Sequence, residues 1–230
     1  MMLISAFRKR IYITVVFLMM HQLLQAQTVR FGAKTGINFA SISAYNNPTS
    51  SVYQSKIYTN IKIGEVTEIG WTKFAIQTGL VLNGKGGIDT YINPETNTNR
   101  RKNTRLYYLE IPVNFLYKLP VKVGTLLLGG GPYAAYGIAG SYSLSGIIFD
   151  SPIDGKNRVN FGNNENSDYK RTDYGLNLRT EIRLLHGIGF ELNYEYGLKN
   201  IATPSVYDDV GIKTRNSVFG IAISYIFGNR

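Results

Sequence analysis

Residues 106–117 read LYYLEIPVNFLY, a stretch with the aromatic and β-branched richness of a strand that nevertheless carries Glu110, Pro112 and Asn114 at every second position. Side chains alternate sides along a strand, so the segment divides by parity. Tyr107, Leu109, Ile111, Val113, Phe115 and Tyr117 make one continuously apolar face. Leu106, Tyr108, Glu110, Pro112, Asn114 and Leu116 make a mixed one. What each face meets decides the fold.

The same division recurs along the chain. Segments 29–40, 73–83, 173–184, 188–199 and 216–227 each set Phe, Tyr, Ile and Leu against Gly, Ala, Asn, Ser and a few charges. Segment 123–139 is glycine-rich, and 56–69 alternates poorly because Glu65 interrupts its apolar set. With 106–117 these give eight strands of about 10–14 residues and no convincing helix. Short connections near 70–72, 118–122 and 185–187 alternate with long polar ones near 44–55, 84–105, 140–172 and 200–215. Even strand number with short turns at one end and long loops at the other is the plan of an all-β, eight-stranded antiparallel up-and-down transmembrane β-barrel.

The N-terminus is set apart from this pattern. Arg8, Lys9 and Arg10 precede the apolar run IYITVVFLMM, and Ala26 follows as a small residue. That is the layout of a cleaved secretory signal peptide over 1–26, leaving a single barrel domain over 27–230. Cysteine is absent, which excludes disulfides, thiolate metal sites and a cysteine nucleophile. The formal net charge of +10 does not imply nucleic acid as a partner for an exported barrel. No cofactor or metal is expected: the lone Asp89 and Asp168 do not make a cluster.

Volume decides which way the apolar face points. An eight-stranded barrel has room inside for its own small side chains or one small ligand, not for five or six large apolar residues from nearly every strand. The apolar face therefore meets outer-membrane lipid. Aromatics fall where the two lipid interfaces would be: Phe31, Phe74, Tyr117, Phe190 and Phe227 toward the short turns, Phe39, Tyr107, Tyr136 and Tyr174 toward the long loops. The charges of the other face then need partners inside the lumen. Arg30, Lys34, Glu110, Arg179, Glu181, Arg183, Glu191 and Glu195 are the expected ion-pair network. Its expected register about the 185–187 turn sets Arg183 opposite Glu191, Arg179 opposite Glu195 and Glu181 opposite Asn193. Pro112, which cannot donate to a ladder, predicts a bulge or a missing hydrogen bond beside it.

The stretches LYYLEIPVNFLYK, GGGPYAAYGI, TDYGLNLRTEI, FELNYEYGLKNI and SVFGIAISYIF resemble the PorT-type outer-membrane β-barrel domain family of Bacteroidota over roughly 29–227. That resemblance implies an eight-stranded barrel in the outer membrane and, through the family's namesake, an association with type IX protein secretion machinery. It carries no catalytic motif. Tyr225 and Phe227 are similar to the C-terminal aromatic signal read by barrel assembly machinery, although Gly228, Asn229 and Arg230 follow.

Three function classes follow. A non-enzymatic barrel that binds surface or envelope partners through its long loops is favoured, since eight strands leave no open pore. A secretion component is the alternative that the resemblance implies. A lipid-modifying enzyme is disfavoured, because a hydrolase needs a nucleophile and a base at the lipid interface. The only histidines are His21, in the signal, and His186, in a short turn. In the run NTNRRKNTR (97–105), Arg100, Arg101, Lys102 and Arg105 are candidates for contact with lipopolysaccharide phosphates at a loop tip, since Arg and Lys pair with phosphate.

Overall fold

A computed structural model describes residues 27–45, 52–203 and 213–228. The expected signal segment, 1–26, lies outside the described residues. The described chain is strand, turn and irregular backbone without a helix. Its strands are β1 (Thr28–Tyr45), β2 (Val52–Lys56), β3 (Tyr58–Gly70), β4 (Phe74–Thr78), β5 (Val81–Asn93), β6 (Thr98–Pro112), β7 (Asn114–Val121), β8 (Gly124–Ile148), β9 (Ser151–Arg158), β10 (Thr172–Leu184), β11 (Ile188–Gly197) and β12 (Lys213–Ile226).

Twelve segments make eight barrel strands, because three interruptions leave the path of the wall unbroken and β9 pairs with β8 alone, outside the ring. Strand β3 pairs Thr67 with Thr78 of β4 and Gly64 with Val81 of β5 in one common register, so β4 and β5 are a single barrel strand. Likewise Gln77 faces Asn114 of β7 and Val81 faces Glu110 of β6 in one register, which joins β6 to β7. Strands β2 and β3 both pair with β5 and are separated only by Ile57. Neighbours in sequence are neighbours in the sheet, and β1 closes the ring on β12, with Gly32 opposite Ile226. Closure leaves the membrane-spanning wall without an edge.

The proline of 106–117 acts as expected. Strand β6 stops at Pro112, β7 starts at Asn114, and the shared register sets Pro112 across from Gly79 in the gap between β4 and β5. Proline has no amide to give, so the ladder lapses there without slipping. Val113 still donates to the Pro132 carbonyl on the other side at 2.9 Å.

Two expected loops are instead paired strand. Residues 84–105 form the upper parts of β5 and β6, joined by a turn at Pro94–Asn97, and β8 runs on to Ile148 before turning into β9. Phe149 and Asp150 both have positive φ, 46° and 65°, the signature of a tight two-residue hairpin turn. Above the lipid both faces of a strand meet water, so the apolar alternation disappears while the pairing persists. A paired sheet of β2, β5, β6, β8 and β9 thus rises beyond the upper aromatic ring.

Candidate functional site

The lumen is filled by charge. Near the short-turn end, Arg183 pairs with Glu68 at 2.8 Å and with Glu181 at 2.9 Å, while Gln77 donates to Glu68 at 2.6 Å. Arg179 binds Glu181 and reaches Glu191 at 3.0 Å. Lys62 and Lys34 approach Glu191 from across the barrel at 3.2 and 3.7 Å. Arg30 stands on the same inner face opposite Glu68. Higher up, Lys85 sits among three carboxylates: Glu110 at 2.8 Å, Glu195 at 3.3 Å and Asp173 at 3.4 Å. Asn83 donates to both Glu110 and Glu195 at 3.0 Å, and Asn216 donates to Asp173 at 3.0 Å.

Arg179, Glu181, Arg183, Glu191 and Lys34 therefore meet, and Glu110 and Glu195 meet through Lys85. Lys62, Lys85, Glu68 and Asp173 belong to the same network and were not among the expected members. The expected register is corrected by two residues: Glu181 lies opposite Glu191, Arg179 opposite Asn193, and Arg183 opposite Gly189. The cause is the turn. The short turn at 185–187 is present as expected, with Gly187 at φ 87° donating to the Leu184 carbonyl at 3.0 Å, and a three-residue loop there sets Arg183 opposite Gly189, two residues before Glu191. Two carboxylates facing each other are held by the two arginines and two lysines that converge on them.

Above Lys85 the lumen turns apolar. Ile42, Leu106, Tyr108, Tyr133, Ala135, Phe161, Tyr169 and Ile201 form one buried cluster. Phe161, Tyr169 and Ile201 come from the connections after β9 and β11, which fold back into the barrel mouth. Phe161 meets Tyr108 edge-on at 5.9 Å between centroids, Lys170 donates to the Ile201 carbonyl, and Thr203 donates to that of Ser167. Lys102 lies 4.6 Å from the Tyr142 ring and 5.3 Å from that of Tyr169. The mouth is plugged, and an ion-paired lumen lies beneath.

On the outer wall, all nine expected girdle aromatics face outward: Phe31, Phe74, Tyr117, Phe190 and Phe227 below, Phe39, Tyr107, Tyr136 and Tyr174 above. Phe74 and Tyr117 pack at 5.4 Å, Tyr225 and Phe227 at 5.2 Å. Immediately above the upper ring runs a collar of cations, several resting on its tyrosines. Arg171 lies 5.6 Å from the Tyr136 ring and Lys199 5.7 Å from that of Tyr174. Arg215 donates to Tyr196 at 3.3 Å, and Arg105 to Tyr58 at 2.6 Å.

The 97–105 run does not act as one patch. Arg101 and Arg105 lie on the outward face of β6, whereas Arg100 and Lys102 lie on its other face, because they sit on a strand and alternate. The outward pair is joined instead by Lys156 and Arg158 of β9. A register shift at Tyr107/Tyr108 leaves a groove of about 650 Å³ beside β8, with Ile138 and Ala139 at its base and Lys156, Arg158 and Ser141 on its walls. A smaller hollow beside Tyr58, Arg105 and Ser143 shares Lys156 with it. The groove is apolar toward the membrane and basic above it.

A family model described as "Outer membrane protein beta-barrel domain" matches residues 25–203. No curated protein matches the chain. Among solved structures the chain is similar to Ail, the attachment invasion locus protein of Yersinia pestis, at 8% identity and a TM-score of 0.36, covering 85% of this chain and 98% of that one. It is also similar to the outer membrane protein OprG from Pseudomonas aeruginosa, at 13% identity and a TM-score of 0.35, covering 87% and 95%.

Proposed function

Because the chain belongs to the outer membrane protein β-barrel domain family, we propose that it is a non-enzymatic outer-membrane barrel that works at the cell surface, its basic collar binding the phosphates of lipopolysaccharide and its raised hairpin sheet presenting a binding platform. The observation that carries this reading is the placement of Arg105, Lys156 and Arg158 directly above the upper aromatic ring, with Lys156 and Arg158 on the walls of a groove with an apolar base and Arg105 in the adjoining hollow. Arginine and lysine pair with phosphate, and acyl chains pack on apolar wall. His186 lies in a short turn at the opposite end of the barrel, which supports a role without acyl transfer at the outer leaflet. Tyr225 and Phe227, which meet edge-on at the end of β12, are the proposed signal for barrel assembly machinery during insertion.

The test is thermal unfolding of the purified barrel with and without added lipopolysaccharide. Lipopolysaccharide should raise the transition of the wild type, and the raise should vanish when Arg105, Lys156 and Arg158 are replaced by Gln. An unchanged raise in the triple variant contradicts the reading. A place in a type IX-like secretion apparatus, implied by the PorT-type resemblance, is a separate reading. A deletion strain that still exports its usual cargo removes it.

A further inference from the structure

One residue of the membrane-facing wall violates the physics that shapes the rest. Along β3 the side chains of Lys62, Val66 and Glu68 are buried toward the lumen, so Ile61, Ile63 and Glu65 point outward. Glu65 is exposed on that wall, and none of the ion pairs among the described residues includes it. It stands four residues above Ile69, at the short-turn end of the strand. At a rise of ~3.3 Å per residue and a tilt of ~40°, that places it roughly 10 Å into an apolar band ~25 Å tall. A glutamate arm does not span that distance to either interface, and an ionisable group facing hydrocarbon is costly unless a partner meets it.

Part of the surroundings of Glu65 is smaller and more polar than the rest of the belt. Ala33 lies directly opposite it on β1, and it donates its amide to the Leu80 carbonyl at 3.1 Å on the other side. Around it the outward positions are divided: Leu80 across on that side, Ile63 on β3 and Phe31 on β1 are large and well exposed, whereas Thr35, Thr67 and Thr78 are hydroxyl-bearing. Elsewhere the belt presents Ile111, Phe115, Leu178, Leu192 and Ile221, all well exposed. Small residues beside a polar one, as Ala33 and the threonines are here, allow close approach of another backbone within the membrane.

We propose that Glu65 is the contact point for a second integral outer-membrane protein, which presents a Lys or Arg from its own wall at the same depth. Charge selects this occupant. Among the described residues the membrane-facing wall between the two aromatic rings carries no lysine or arginine, so a second copy offers Glu65 no cation at this depth, and Glu65 against Glu65 is repulsive in a low-dielectric medium. Lipid headgroups, the other source of a cation, lie at the interfaces and not at this depth. The inference is independent of the phosphate-binding collar, which lies on other strands at the other end of the band.

Two measurements test it. First, Glu65→Leu and Glu65→Gln are refolded into phospholipid vesicles, with heat-modifiability confirming the barrel. Glu65→Leu should be at least as stable as wild type, with an unfolding equilibrium constant lowered about tenfold or more, because an unpartnered carboxylate facing lipid is a cost. A less stable Glu65→Leu barrel makes Glu65 part of this chain's own scaffold and overturns the proposal. Second, a photo-crosslinking residue replaces Thr67 in cells, and adducts are mapped by mass spectrometry. The expected adduct is a membrane strand of another outer-membrane protein carrying Lys or Arg. It should disappear with Glu65→Leu and return when Glu65→Lys is combined with Glu at the partner's cationic position. Adducts with a second copy, adducts with lipid alone, or a protein adduct indifferent to Glu65 each overturn the proposal.

Discussion

The ammonium of Lys85 lies 2.8 Å from a carboxylate oxygen of Glu110, with both side chains almost wholly removed from solvent. Glu110 is the carboxylate that makes 106–117 odd for an apolar strand, and Lys85 comes from a segment without obvious apolar alternation. Their pairing, with Glu195 and Asp173 completing the shell around the lysine, joins four strands of the wall: β5, β6, β10 and β11.

Removing the ammonium leaves three buried carboxylates without their shared cation. Lys85→Met should therefore cost about 3–5 kcal/mol, the usual penalty for breaking a buried pair by removing one partner. Adding Glu110→Gln to Lys85→Met should recover part of it by relieving the repulsion. Urea unfolding of barrels in vesicles, followed by gel mobility, measures both. A neutral Lys85→Met would show that the site is solvated and its charges are not interdependent.

The observed register makes a separable claim about Arg179, which meets Glu191 at 3.0 Å and stands across from Asn193. A double-mutant cycle on Arg179→Met and Glu191→Gln should give a coupling above ~1 kcal/mol. The corresponding cycle with Glu195→Gln should stay within a few tenths. Reversed magnitudes would restore the pairing in which Arg179 faces Glu195.

The sequence made the wall legible and left the interior only partly so. Parity in segments such as 188–199 was enough to orient every girdle aromatic, because lipid on one side and a narrow lumen on the other impose opposite chemistries on alternate residues. Lys85 was hidden because the strand that carries it runs on above the lipid band, where both faces are polar and periodicity fades. Lys62 and Glu68 were masked by Glu65, which broke the alternation of their strand. The short turn at 185–187 was legible, and the register about β10 and β11 follows from its three-residue length, which sets Arg183 opposite Gly189. Phe161, Tyr169 and Ile201 reach the plug from irregular segments, where neither a period of 2 nor one of 3.6 betrays a buried side chain.

The plug is a local structure held by packing at the mouth, above a lumen with its own network. Phe161→Ala removes the ring that meets Tyr108 edge-on and the core of the returning segment. Cleavage within 159–171 by an added protease should accelerate at least tenfold, while the unfolding transition of the barrel shifts far less than the ~3–5 kcal/mol typical of a central Phe→Ala change. A parallel loss of both would make the plug part of the barrel's cooperative unit.

The central claim is that this barrel is closed along its length, ion-paired below and aromatic above, and so acts through its surfaces and not as a conduit. Single-channel recording of the purified wild-type protein in a planar bilayer tests that claim most directly. A membrane that holds inserted barrels, verified by their heat-modifiable mobility, should show no discrete conductance steps across the applied voltage range. Reproducible stepwise openings that scale with the amount of inserted protein would contradict the account.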